Sequence, residues 1–239
     1  MRSGVVAGAL AYAALAIGNG YDRLAISAPG TASHVPSLFA VHALEVTGEA
    51  ALLSNPHSAA AQAERLVARA PIEPSSTTLL GASRAASGDD GGADRAFRVA
   101  GQLGWRTPMT QSYWLSAALA AGDTRVAAQR LDALLRQRPD LLSRSEVLAP
   151  FESDAAGRDA LFERLLTRPP WLEAYAGATD PATPAALIAR RLPVLTMLAG
   201  HGIVLGCAAI APALGQLLSA GLTSEAATLR RWHCPESAR

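Results

Sequence analysis

An echo at 34 residues constrains this chain more than any other feature. The stretch Leu80-Gly81, Gly88, Ala93, Phe97, Ala100 returns as Trp114-Leu115, Gly122, Ala127, Leu131, Leu134. Gly88 and Gly122, Ala93 and Ala127, and Phe97 and Leu131 each keep that spacing. A period of this length is one helix–turn–helix unit, which cannot bury its apolar face alone and must stack on a neighbour. The expected fold is all-α, with antiparallel helix pairs stacked as a solenoid. Such stacks offer a binding surface rather than a reaction centre.

Composition agrees. The 239 residues have room for one large or two small domains. Net charge is +1, and no basic tail or stripe points to nucleic acid. Every basic residue is Arg, and Ala is abundant, which favours helices and lets them pack closely. Helices are predicted over 38–54, 59–70, 76–87, 92–103, 110–121, 124–137, 141–151 and 155–167, with connections of a few residues. Asp123 and Asp154 are placed as N-caps. Pro71 and Pro139 each close a second helix, while Pro108, Pro169 and Pro170 stop others.

Position by position, the pattern resembles the tetratricopeptide repeat family. The large-then-small pair of a first helix is Leu80-Gly81, with Trp114-Leu115 as its less regular copy. Gly88 and Gly122 mark the turns, and Ala93 and Ala127 let the second helix pack on the first. Phe97, Ala100, Leu131 and Leu134 follow as apolar positions, and Pro139 ends a unit. The first unit departs at Trp105, where Pro is expected. A weaker upstream copy uses Ala59, Ala63, Leu66 and Pro71. A half-copy near the end has Gly221 and Ala226. The resemblance implies that first helices line a concave, peptide-binding face showing Ser75, Thr78, Ala82 and Ala85, then Met109, Ser112, Ser116 and Leu119. That face is neutral and lacks the Lys used by the family's carboxylate grip, so a helix or extended peptide held by apolar and backbone contacts suits it.

The N-terminus points to the cell envelope. Residues 4–20 are uncharged and mostly aliphatic, with Arg2 before them and Asp22 and Arg23 after. They read as a signal-anchor or, with Ala25 and Ser27 flanking Ile26, as a cleaved signal peptide. The charge before the segment places the body in the periplasm of a bacterial inner membrane. The chain also looks like bacterial proteins that follow a membrane anchor with degenerate repeats of this kind. That resemblance implies a non-enzymatic scaffold in envelope or surface-polysaccharide assembly. The expected segments are 1–27 signal or anchor, 28–36 linker, 37–170 repeats, 171–232 helical extension and cap, and 233–239 tail.

Residues 192–222 carry no charge but contain Gly200, Gly202, Gly206, Pro212 and Gly215, so two short buried helices, near 184–199 and 203–220, are expected. A second membrane segment is the alternative, and a polar helix over 224–232 closes the array. Catalytic motifs are absent, and no cofactor or metal is expected. His201, Cys207, His233 and Cys234 have zinc-ligand chemistry at the wrong spacing. Cys207 reads as an inert core thiol, bridged to Cys234 only in an oxidising compartment. Asp89, Asp90 and Asp94 read as a solvated turn, and Glu152 and Asp154 as caps and surface charges.

Overall fold

A computed structural model describes residues 2–104, 106–177 and 184–234. Among them there is helix and no strand, as the all-α expectation requires. The chain divides into two compact units, Met1–Thr110 and Gln111–Arg239.

The first unit opens with α1 (Arg2–Ser27) and a 3₁₀ segment, Pro29–His34. It continues through α2 (His42–Leu52), α3 (Pro56–Arg69), α4 (Pro74–Ala86) and α5 (Asp90–Leu103). Helix α2 packs on α3, α3 on α4 and α4 on α5, and α2 also meets α4. Small residues make this close stacking possible. A methyl group at Gly81 would come within 2.8 Å of the Phe97 ring, and one at Gly48 within 2.5 Å of Leu79. Gly48 lies 33 residues before Gly81 and extends the same device upstream.

The echo also has a backbone cause. Gly88 and Gly122 have φ of 80° and 72°, a left-handed turn that suits glycine. Each is followed by an Asp that caps the next helix. Asp89 accepts a hydrogen bond from the Gly92 N–H at 2.8 Å, and Asp123 from the Val126 N–H at 3.0 Å. Asp154 does the same for Gly157 at 2.7 Å, as expected.

The prolines correct one expectation. Pro108, expected to stop a helix, begins one, as Pro56 and Pro74 do, because the first helical position has no intrahelical partner for an N–H. Helix α6 (Pro108–Ala120) therefore starts two residues before the predicted 110–121. The Trp105 departure lies outside the described residues.

The second unit holds the rest of α6, then α7 (Thr124–Leu135), a 3₁₀ segment Pro139–Ser143, α8 (Ser145–Glu152) and α9 (Ala155–Leu166). It ends with α10 (Leu172–Gly177), α11 (Ala185–Gly200), α12 (Cys207–Ser219) and α13 (Thr223–His233). Its core is one cluster running from Leu115 and Leu131 through Phe151 and Leu161 to Ile188, Leu198, Ile210, Leu217 and Leu229. Residues 192–222 thus form two short helices that supply core side chains. Among the described residues, no helix of the chain is long and apolar enough to cross a membrane. The tail 235–239 lies outside the described residues.

Candidate functional site

The predicted groove residues divide between the two units. In the first unit, Ser75 is half-buried and Thr78 is buried. The Thr78 hydroxyl donates to Pro74 O at 2.7 Å and sits 2.9 Å from Thr110 Oγ1 and 3.3 Å from Thr107 Oγ1. It joins α4 to the start of α6 and does not present itself to a partner. Met109 is half-buried. In the second unit Ser112 and Ser116 are exposed on α6, and Leu119 packs against the core.

A more distinctive surface is the N-terminal rod. Val5, Val6, Leu10, Tyr12, Leu15 and Ile17 are all exposed, so α1 turns apolar side chains to every side over its first turns. A helix apolar all round is normally covered by protein or lipid. Its far end is docked. Asp22 is buried, and its carboxylate accepts hydrogen bonds from the backbone N–H groups of Val41 at 3.2 Å, His42 at 3.0 Å and Ala43 at 2.9 Å. Asp22 therefore caps α2 from a different helix, placing a negative charge at its N-terminus. One turn earlier, Gly18 lies against the Phe39 ring so closely that a Cβ would overlap it. Ala25 packs with Ala32, Val35, Ala40 and Ala43, which fixes the 28–36 stretch as well. Sequence reading placed Asp22 merely as a charge after the apolar run. Its role depends on residues about twenty positions away, which local patterns do not report.

The second unit contains a buried polar group that the sequence reading missed. Glu152, expected on the surface, is buried, and its side chain is 0% exposed beside Arg191 at 1%. Arg191 Nε donates to Glu152 Oε1 at 3.3 Å. Its Nη1 donates to Tyr175 O at 2.8 Å, and its Nη2 to Leu142 O. The guanidinium lies 4.9 Å from the centre of the Tyr175 ring. Burial pushes the Glu152 carboxyl above its ordinary value, and the nearby Arg191 opposes this. Burial also drives the Tyr175 hydroxyl well up. Among the described residues, Glu152 Oε2 and Tyr175 Oη have no partner within hydrogen-bonding geometry, although each perturbs the other's ionisation. The group ties α8, α10, α11 and the 3₁₀ segment together.

The cysteines also depart from expectation. Cys207 is exposed and forms a disulfide with Cys234, their Cα atoms 4.6 Å apart. The apolar run suggested a core thiol, but Cys207 begins α12, where its side chain lies outside the packed face. Beside the bridge, His233 is buried. Its Nδ1 accepts from Leu205 N at 3.4 Å and its Nε2 lies 2.9 Å from Leu195 O. That pattern calls for the neutral ring with its proton on Nε2. Burial lowers the pKa of this ring. His201 is exposed and edge-on to Phe162, with ring centres 4.8 Å apart.

Comparison of the chain with protein-family models, curated proteins and solved structures finds no match.

Proposed function

We propose that this chain is a membrane-attached, non-enzymatic interaction module of the bacterial cell envelope, with its helical body on the periplasmic side and a protein or peptide as its ligand. The observation that carries this reading is α1, an uncovered apolar rod held to a folded body. Residues 4–20 give a rod of about 26 Å at ~1.5 Å per residue, and Arg2 precedes it. The Cys207–Cys234 bridge suits an oxidising compartment. A retained anchor fits better than a cleaved signal peptide. Cleavage after Ser27 would remove Asp22, Gly18 and Ala25, which complete the N-terminal packing of α2. The helical repeats support a scaffold in envelope assembly by analogy of fold. Ser112 and Ser116 are exposed residues of the proposed peptide-binding face in the second unit.

A catalytic role for the Glu152–Tyr175–Arg191 group is the weaker reading. All three side chains are sealed from solvent, and the guanidinium is spent on backbone carbonyls. Such a group reads as a latch between helices.

The test is a pair of reporter fusions active only in the periplasm, one after Pro36 and one after Arg239. Activity at both is expected. Deleting residues 2–17 is expected to release the protein from membranes under carbonate extraction. Inactivity at both fusion sites would place the body in the cytoplasm and refute the reading.

A further inference from the structure

We infer that the end of the first unit from which α1 emerges is itself a lipid-contacting surface, which seats the body directly on the membrane. The inference rests on the membrane reading of α1.

The packing of α2 against α3 defines the two ends of this unit. Thr47 Oγ1 donates to Gln62 Oε1 at 2.5 Å, and farther along Arg69 Nη1 donates to Ala40 O at 3.2 Å. The helices are antiparallel, so the 36–41 loop and the 70–73 loop share one end. Leu53 and the 87–89 turn lie at the other. The C-terminus of α5 returns to the first end, where Gly104 packs on Pro74.

Helix α1 leaves from that first end. Asp22 touches the start of α2, and Gly18, one turn nearer the N-terminus, touches Phe39. Walking up α1 therefore moves outward past the loop that carries Leu38.

Several exposed aliphatic side chains lie there, whereas Leu53, 98% exposed, stands at the other end. Leu38, two residues after Pro36, is 79% exposed and Ile72, next to Pro71, is 81% exposed, and Leu103 is partly exposed at the end of α5. Tyr21 is exposed where α1 meets the body, a residue type at home at the lipid–water boundary. Arg23, Arg69 and Arg106 lie at or beside this end, together with the carboxylates Asp22, Glu45 and Glu73. Arginine beside exposed aliphatics matches an interface of acyl chains and anionic headgroups.

Length gives the same answer. A rod of about 26 Å is shorter than a hydrocarbon core of ~30 Å. A short apolar helix draws its flanking residues down to the lipid or thins the bilayer around it. Because α1 is docked through Asp22 and Phe39, with no slack linker, the residues drawn down are Leu38 and Ile72.

The experiment uses the full chain in vesicles of phosphatidylethanolamine and phosphatidylglycerol. Single cysteines replace Leu10, Leu38, Ile72 or Leu53, and each is labelled with the fluorophore NBD. The native cysteines, joined in a disulfide, do not react. Lipids carrying spin labels in the headgroup region or deep in the acyl chains act as quenchers. The expected result is deep quenching at Leu10→Cys, and shallow quenching at Leu38→Cys and Ile72→Cys several-fold stronger than at Leu53→Cys. If Leu10→Cys is quenched while Leu38→Cys and Ile72→Cys behave like Leu53→Cys, the seat is wrong and the anchor stands. If Leu10→Cys is unquenched, the anchor reading fails and the seat falls with it.

Discussion

The two units solve the problem of holding helices together in different ways. In the first, neighbours in sequence are neighbours in space. α2 to α5 stack in order, and contact is made by removing side chains, at Gly48 and Gly81, until a helix can settle on Leu79 or Phe97. In the second, the decisive ties cross long stretches of chain. Arg191 reaches Glu152 and Leu142, the Trp171 indole donates to Asp132 at 2.8 Å, and Cys207 bridges to Cys234. Local stacking needs only a repeating pattern, whereas a bundle of uneven helices needs specific polar and covalent latches to select one arrangement.

That contrast can be broken by mutation. The largest effect is expected at Arg191→Ala, which strands Glu152 and two carbonyls in the core. Breaking a buried pair costs about 3–5 kcal/mol. Urea unfolding followed by circular dichroism checks it, and a loss below about 1 kcal/mol, the scale of an exposed pair, would show that the latch is dispensable.

Next is the disulfide. It closes a sequence separation of 27, and by loop entropy its removal costs about 3–4 kcal/mol. Paired Cys207→Ser and Cys234→Ser variants are expected to speed hydrogen exchange in α12 and α13 while leaving α4 and α5 unchanged.

In the first unit, two smaller changes probe packing and capping. Gly81→Val drives a branched side chain into the Phe97 ring, with an expected cost of about 1–3 kcal/mol. Asp22→Ala removes an acceptor shared by three backbone N–H groups and costs about 1–3 kcal/mol. Thermal unfolding reads both, and faster exchange at Val41, His42 and Ala43 distinguishes the second.

The smallest effects are pH slopes of opposite sign within the second unit. His233 has a lowered folded pKa, so its contribution is complete above about 6.5 and is lost as pH falls through the folded value. Glu152 has a raised folded pKa, so its contribution is complete below about 4.5 and fades as pH rises through the folded value. Wild type is therefore expected to lose stability relative to Glu152→Gln as pH rises. Relative to His233→Leu it loses stability as pH falls. Parallel curves for either pair would remove that residue from the account.

The legible parts of the fold are those written in short-range chemistry. Helix spacing, the Gly-Asp turns at 88–89 and 122–123, and the caps Asp123 and Asp154 act within a few residues, so a linear pattern reports them. The 155–167 prediction stands beside an observed Ala155–Leu166. Helices end ahead of Pro71, Pro139 and Pro169 as expected, but Pro108 opens one, because proline suits the first helical position as well as the stretch beyond a helix end. The groove residues were legible only as a register. Once placed, Thr78 is occupied by Thr107 and Thr110.

The sequence by itself determined that this chain is helical, where most helices lie, and that its first turns are apolar on every side. Those properties follow from backbone propensity and from hydrophobic periodicity, both local. Only the tertiary structure decided that Asp22 caps a helix twenty residues away, that Glu152 is buried with Arg191, and that Cys207 meets Cys234. A carboxylate or thiol has the same local signature on a surface as in a core. Its partner, supplied by folding from far along the chain, decides which role it plays.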